Sequence, residues 1–162
     1  MKKLFIFYAV ITLALTSCSV LKVPTVEIKG NVHNYTYAYV IPTSGVTSSS
    51  GVYGNQYGVY GGSTKTINPS EVISGYLMKK GYTIIPSVTP ELAEKAMIVS
   101  YGYTGRRQLS LFAYASCIII QIRDSKNHDM IASCEAEGCG EDETADILQA
   151  INKGLDTIFS KQ

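Results

Sequence analysis

Four thiols are the most reactive side chains of this 162-residue sequence: Cys18, Cys117, Cys134 and Cys139. Cys18 closes the segment Leu15-Thr16-Ser17-Cys18 at the end of an apolar run. Its thiolate is a nucleophile that directly follows small residues. The other three lie far downstream. In a hairpin over 123–129 that pairs Arg123 with His128, Cys117 falls opposite Cys134; a register shifted by two leaves them diagonal but on one face. Cys134 with Cys139 is the rival bridge, Gly138 turning the chain between them. Three thiols leave one unpaired in either case, and the third alternative is three reduced thiols acting as small hydrophobes.

Other chemistry is sparsely provided for. Cys134 and Cys139 with His128 upstream match no usual zinc spacing and have no second pair, so no metal is expected. A Cys–His nucleophile would need Cys117 or Cys139 beside His33 or His128, and both histidines read as solvated loop residues. Glu135, Glu137, Glu141, Asp142 and Glu143 could hold a carboxylate pair for hydrolysis, but they read better as solubilising charge and as complements to a helix dipole. Arg106-Arg107 reads as a solvated basic pair in a turn. No phosphate loop, dinucleotide fingerprint or nucleophile elbow appears. No catalytic residue is assigned, and no cofactor beyond covalent lipid is expected.

The elements that must position these groups follow from periodicity. A short strand is possible at Thr25–Ile28. Tyr35 to Ile41 alternates aromatic and small residues, the period of a half-buried strand, and Pro42 ends it. Residues 43–65 are rich in Gly, Ser, Thr and Tyr and contain an echo: Gly51-Val52-Tyr53-Gly54 recurs as Gly58-Val59-Tyr60-Gly61. Ordering so much glycine is costly in backbone entropy, so the segment reads as a mobile loop or a glycine-rich hairpin at a sheet edge. It can equally be a contact loop, with Tyr53, Tyr57 and Tyr60 supplying amphipathic area at low entropic cost. Asn68, Pro69 and Glu71 cap a helix that Gly81 stops. Strands follow over Tyr82–Ile85, Met97–Thr104, Phe112–Arg123 and Asp129–Ala136, with a helical turn from Thr89 to Lys95 and a polar turn at 105–108. A last helix over Asp142–Phe159 carries the stripe Ile147, Leu148, Ile151, Leu155, Ile158 and Phe159. The fold class is α+β: a mixed or mostly antiparallel sheet of about five strands with two helices packed on one face.

Met1-Lys2-Lys3 and the apolar stretch Leu4 to Leu15 have the form of a signal peptide and are too short for a membrane span. With Leu15-Thr16-Ser17-Cys18 they resemble the lipobox leader of bacterial lipoproteins. That resemblance implies cleavage before Cys18 and a diacylglycerol and acyl chain (palmitate or similar) on its sulfur, each buried methylene adding about 0.8 kcal/mol of membrane affinity. Ser19 in place of Asp implies the outer membrane. The tether Ser19 to Pro24 lacks the acidic residues often found in surface-exported Bacteroides lipoproteins, which implies a periplasm-facing protein. The organisation expected is a signal peptide at 1–17, lipidated Cys18 and tether at 18–34, and a single domain at 35–162.

The step Lys80-Gly81-Tyr82, the run Ile-Ile-Gln-Ile-Arg-Asp at 119–124 and Ala150-Ile151 in the last helix resemble a broad group of uncharacterised Gram-negative lipoprotein domains of unknown function. The resemblance implies fold and location and carries over no catalytic residue. The 14 Lys and Arg nearly balance the 13 Asp and Glu, so no field attracts nucleic acid. The expected role is a non-enzymatic envelope module, either binding another component or purely structural. Its partners would be the membrane, through the lipid, and another envelope protein or a glycan. The alternative is a periplasmic hydrolase-like enzyme with an unrecognised site.

Overall fold

A computed structural model describes residues 21–49, 54–55, 58–59, 64–111 and 113–162. The leader, Cys18, Tyr53, Tyr57 and Tyr60 lie outside the described residues.

The chain runs β1 (Thr25–Ile28), a 3-10 turn at Val32–Asn34, β2 (Tyr37–Val40), β3 (Val46–Ser49), β4 (Gly54–Asn55), β5 (Gly58–Val59), β6 (Thr64–Ile67), α1 (Pro69–Lys79) and β7 (Thr83–Ile84). A 3-10 turn at Ala93–Lys95, β8 (Ala96–Gln108), β9 (Tyr114–Asp124), β10 (Met130–Gly138) and α2 (Glu143–Ser160) complete it. Six strands form one sheet in the order β1-β10-β9-β8-β2-β7. β2 runs parallel to both β7 and β8, and the remaining pairs are antiparallel. The sheet is thus mixed, as the sequence pattern implies, with one strand more than expected. The sixth is β1, which forms where the sequence allows a short strand at Thr25–Ile28 and pairs with Glu135 to Ala132 of β10.

Both helices cover the same face. α1 starts where the sequence places it: Asn68 Oδ1 accepts from Ser70 N at 3.2 Å, Pro69 takes the first turn, and Gly81 stops the helix with φ 93°. α2 opens on Asp142, whose Oδ1 accepts from Ala145 N at 2.9 Å. Its stripe of Ile147, Ala150, Ile151, Leu155 and Ile158 buries against Ile118, Ile120, Ile122 and Cys134 of the sheet. Val46–Ser49 and Thr64–Ile67 pair as β3/β6, a separate two-stranded sheet packed beside α2 rather than an extension of the main one.

Two bulges set which side chains face the helices. β8 does not end in a turn at Gly105-Arg106-Arg107-Gln108. The register slips between Tyr103 and Gly105, Gly105 takes φ 120°, and the strand continues to Gln108 opposite Tyr114. A glycine that looks like a turn signal is here the bulge residue that keeps the strand going. In β10 the register slips between Met130 and Ala132. Arg123 stands opposite Met130, not His128, and Ile131 is the extra residue. Its carbonyl accepts from Lys29 N at 2.8 Å and Gly30 N at 3.0 Å. Because side chains alternate with period two, one extra residue moves every later side chain to the other face.

The approach of α2 to β10 is closest at Gly138. A Cβ there would stand 1.9 Å from Asp146 O and 2.7 Å from Ala150 N, so backbone packs on backbone. Gly138→Ala is expected to cost about 3 kcal/mol through overpacking, measured by chemical denaturation. Gly75→Ala, mid-way along α1 with nothing within 4 Å of the added atom, is expected to stabilise by about 0.5–1 kcal/mol.

Candidate functional site

Arg106 and Arg107 are not a solvated turn. They are neighbours on β8, so they point to opposite faces, and each meets a buried carboxylate. On the open face Arg107 grips Glu137 with two hydrogen bonds, Nε to Oε1 at 2.8 Å and Nη2 to Oε2 at 2.6 Å. The Glu137 side chain is 3% exposed. The same carboxylate accepts Lys22 N at 3.0 Å and has Lys22 Nζ at 3.7 Å. Cys117, opposite Glu137 in the ladder, directs its Sγ at Oε1 from 3.7 Å. The Arg107 fork outweighs the burial that opposes it and holds the Glu137 pKa down at about 2. The Cys117 thiol is pushed up, first by burial and then by the Glu137 charge beside it.

On the helix face Arg106 Nη2 lies 3.4 Å from Asp146 Oδ2. Ser116 Oγ donates to the same oxygen at 3.3 Å, and Gly140 N donates to Oδ1. The Asp146 side chain is 3% exposed. The Arg106 guanidinium also stands over the Tyr114 ring, 5.2 Å from its centroid.

The acidic run thus divides by task. Glu137 and Asp146 are interior ion-pair partners, Asp142 caps α2 and pairs with Lys65 at 3.0 Å, and Glu143 accepts from Tyr103 Oη at 3.0 Å. Glu135 faces solvent. Glu137, saturated by donors and firmly ionised, is suited to tying chains together and not to passing protons. The sequence signal for these pairs was the bulge-forming Gly105; a strand carried through 105–108 sends the two arginines to opposite faces.

The cysteines do not pair: Cys117, Cys134 and Cys139 are all free thiols. Cys134 stands opposite Ile120, not Cys117. The Ile131 bulge is the reason, since it turns Cys134 to the helix face while Cys117 stays on the open face. Cys134 is buried near Gly154, and burial raises its pKa to about 11. Cys139 lies past the end of β10, its N–H donating to Gln149 Oε1 at 2.7 Å. The histidines stand at the other end of the sheet. His128 sits in the β9–β10 turn at φ 61°, and His33 lies in the 3-10 turn with its ring 6.3 Å from Phe159. Neither reaches Cys117 or Cys139, whose end of the sheet lies about 20 Å away by strand rise. Among the described residues no three His, Cys, Asp or Glu gather as a metal site.

The described base of the 43–65 segment is fixed to α2. Lys65 pairs with Asp142, Ser48 Oγ lies 3.4 Å from Thr144 Oγ1, and Val46 and Ile67 pack against the core. Between this hairpin and α2 opens a cleft of about 380 Å³ lined by Lys65, Thr66, Ile67, Thr144, Ala145 and Leu148.

Residues 1–19 match the model of the prokaryotic membrane lipoprotein lipid attachment site. The chain therefore carries the signal of a membrane-anchored lipoprotein. No helix among the described residues is long and apolar enough to cross a membrane. No curated protein matches the chain significantly. Among solved structures, a dodecamer of a PelC variant from Paraburkholderia phytofirmans aligns over 84% of this chain and 96% of that one, at 12% identity and TM-score 0.48. At that distance the likeness carries no argument about this chain.

Glu137 has a depressed pKa, so its stabilisation is complete above the ordinary glutamate value of 4.5 and is lost as pH falls towards about 2. The contribution is about 3 kcal/mol. Denaturation midpoints should fall over that window in the unaltered protein, and Glu137→Gln should flatten this part of the profile. Arg107→Ala, which leaves the buried carboxylate without its fork, should cost about 3 kcal/mol at neutral pH.

Proposed function

We propose that this chain is an outer-membrane lipoprotein, facing the periplasm, that acts as a non-enzymatic binding module for another envelope component. The observation that supports the anchoring in this reading is the lipid attachment match at residues 1–19. Ser19 after Cys18 favours the outer membrane, and a tether without acidic residues favours the periplasmic side. The resemblance of Lys80-Gly81-Tyr82 and of residues 119–124 to uncharacterised Gram-negative lipoprotein domains fits the same reading.

Binding is assigned to the Tyr/Gly segment. Its described base is braced on α2 by Lys65–Asp142 and by Val46 and Ile67 against the core. The adjoining cleft, with Leu148 partly exposed on its wall, adds apolar area beside that base. The sheet edges are poorer templates for a partner. β7 has two residues and β1 four, and short edges resist strand addition. The partner class is an envelope protein or a glycan, both of which tyrosine-rich surfaces accommodate.

Replacing Tyr53, Tyr57 and Tyr60 together by Ser should abolish co-purification of the envelope partner from crosslinked cells while leaving the melting temperature unchanged. Retained co-purification would remove the assignment. A Cys18→Ser form should move from the membrane to the soluble fraction and lose the acyl mass at its mature terminus.

A further inference from the structure

We infer that the tip of the β8–β9 hairpin is a second, polypeptide contact with the bilayer that holds the Cys18 lipid; this rests on the anchoring proposed above. The argument is one of length and direction. β1 runs antiparallel to β10 with Thr25 opposite Glu135, and the chain before it continues along β10 until Lys22 N bonds Glu137. Lys22 therefore stands level with the end of β10. Four peptide units separate it from Cys18, which span at most about 14 Å.

The same end of the sheet carries the β8–β9 hairpin. Gly138 is opposite Ser116, and the ladder continues past it to Gln108 opposite Tyr114. Leu109 N then bonds Ala113 O at 2.8 Å, and Leu111 lies at the tip. By strand rise the tip projects about 13–16 Å beyond the end of β10. The hairpin thus reaches as far along this axis as the extended tether can. A shorter path for the tether brings the membrane closer still.

The tip has the composition such a contact needs. Leu111 is 77% exposed, the most open large apolar side chain among the described residues after Val23, which lies on the tether at 84%. Tyr114 is half exposed behind it, held by Arg106, and aromatic side chains suit the headgroup level. Arg106 and Arg107 are engaged by Asp146 and Glu137, and Glu141 and Asp142 sit at this end. The contact is therefore apolar insertion into a neutral interface and not attraction to anionic lipid.

The unaltered chain has no tryptophan, so one introduced residue reports alone. Leu111→Trp and Met78→Trp are made in the full lipoprotein, with acylation verified by mass, and placed in phosphatidylcholine vesicles with and without acyl-chain bromination. Met78 is exposed at the opposite end of the sheet, on the last turn of α1. The Leu111→Trp emission should shift to the blue on reconstitution and fall at least about twofold with brominated lipid, as insertion to acyl depth requires; the Met78→Trp emission should do neither. Equal behaviour of the two tryptophans in acylated, vesicle-bound protein overturns the inference and leaves the anchor standing. Unacylated protein that fails to float with vesicles overturns the anchor and the inference with it.

Discussion

The arrangement of this domain depends on one extra residue in one strand. Ile131 is inserted into β10, its carbonyl tied to Lys29 N and Gly30 N at the end of β1. An unbulged ladder would present Glu135 and Glu137 to the helices and send Cys134, Ala136 and Gly138 to the open face. α2 could not then rest on the strand, because its backbone approaches β10 at a point where only a glycine leaves room. The bulge thus decides which face is greasy, and β1 holds the bulge in place. An edge strand of four residues contributes little pairing by itself, but it fixes the phase of the strand beside it.

The second bulge, before Gly105 in β8, has a matching effect on charge. It turns Arg106 towards α2 and Arg107 towards the open face. Together the two bulges bring Arg107 and Glu137 to the same side across β9, and they bring Arg106 to Asp146. A buried ion pair is weak evidence of net stability, since desolvating both charges offsets most of the attraction. Its clearer consequence is specificity. A carboxylate at 3% exposure tolerates no register in which its guanidinium is missing, so each pair penalises a slipped ladder heavily. The Glu137 site adds a third group by accepting the Lys22 amide, which makes the tether part of the register.

These facts explain what could be read from the residues alone. Helix starts and stops are local chemistry. Asn68, Pro69, Gly81 and Asp142 act on the backbone next to them, and both helices stand where those residues put them. The stripe on α2 and the alternation in β8 and β9 are likewise local periods. Bulges are not local. Gly105 carries the same sequence signal as a turn, and Ile131 carries none, because its placement depends on Lys29 and Gly30 about a hundred residues earlier in the chain. Every misreading here descends from that. The polar turn at 105–108, the facing of Cys117 and Cys134, the solvated arginines and the purely superficial acidic cluster all assume unbulged strands. The short strand at Thr25–Ile28, by contrast, forms where its residues allow one.

The tether is also where fold and location meet. A lipoprotein on a long flexible linker presents all its faces to the membrane in turn. Here Lys22, four residues after Cys18 in sequence, is held by a carboxylate that stays ionised far into acid. That restricts which end of the sheet can lie near the lipid: the end bearing the β8–β9 hairpin and the start of α2. The hairpin β3/β6 runs along α2 towards that same start, where Lys65 meets Asp142. The braced base of the Tyr/Gly segment therefore opens on the side nearest the anchor, and the turn holding His128 and the last turn of α1 face away from it. A partner engaged through that segment would be one that lies at the membrane surface, not one reached across the compartment.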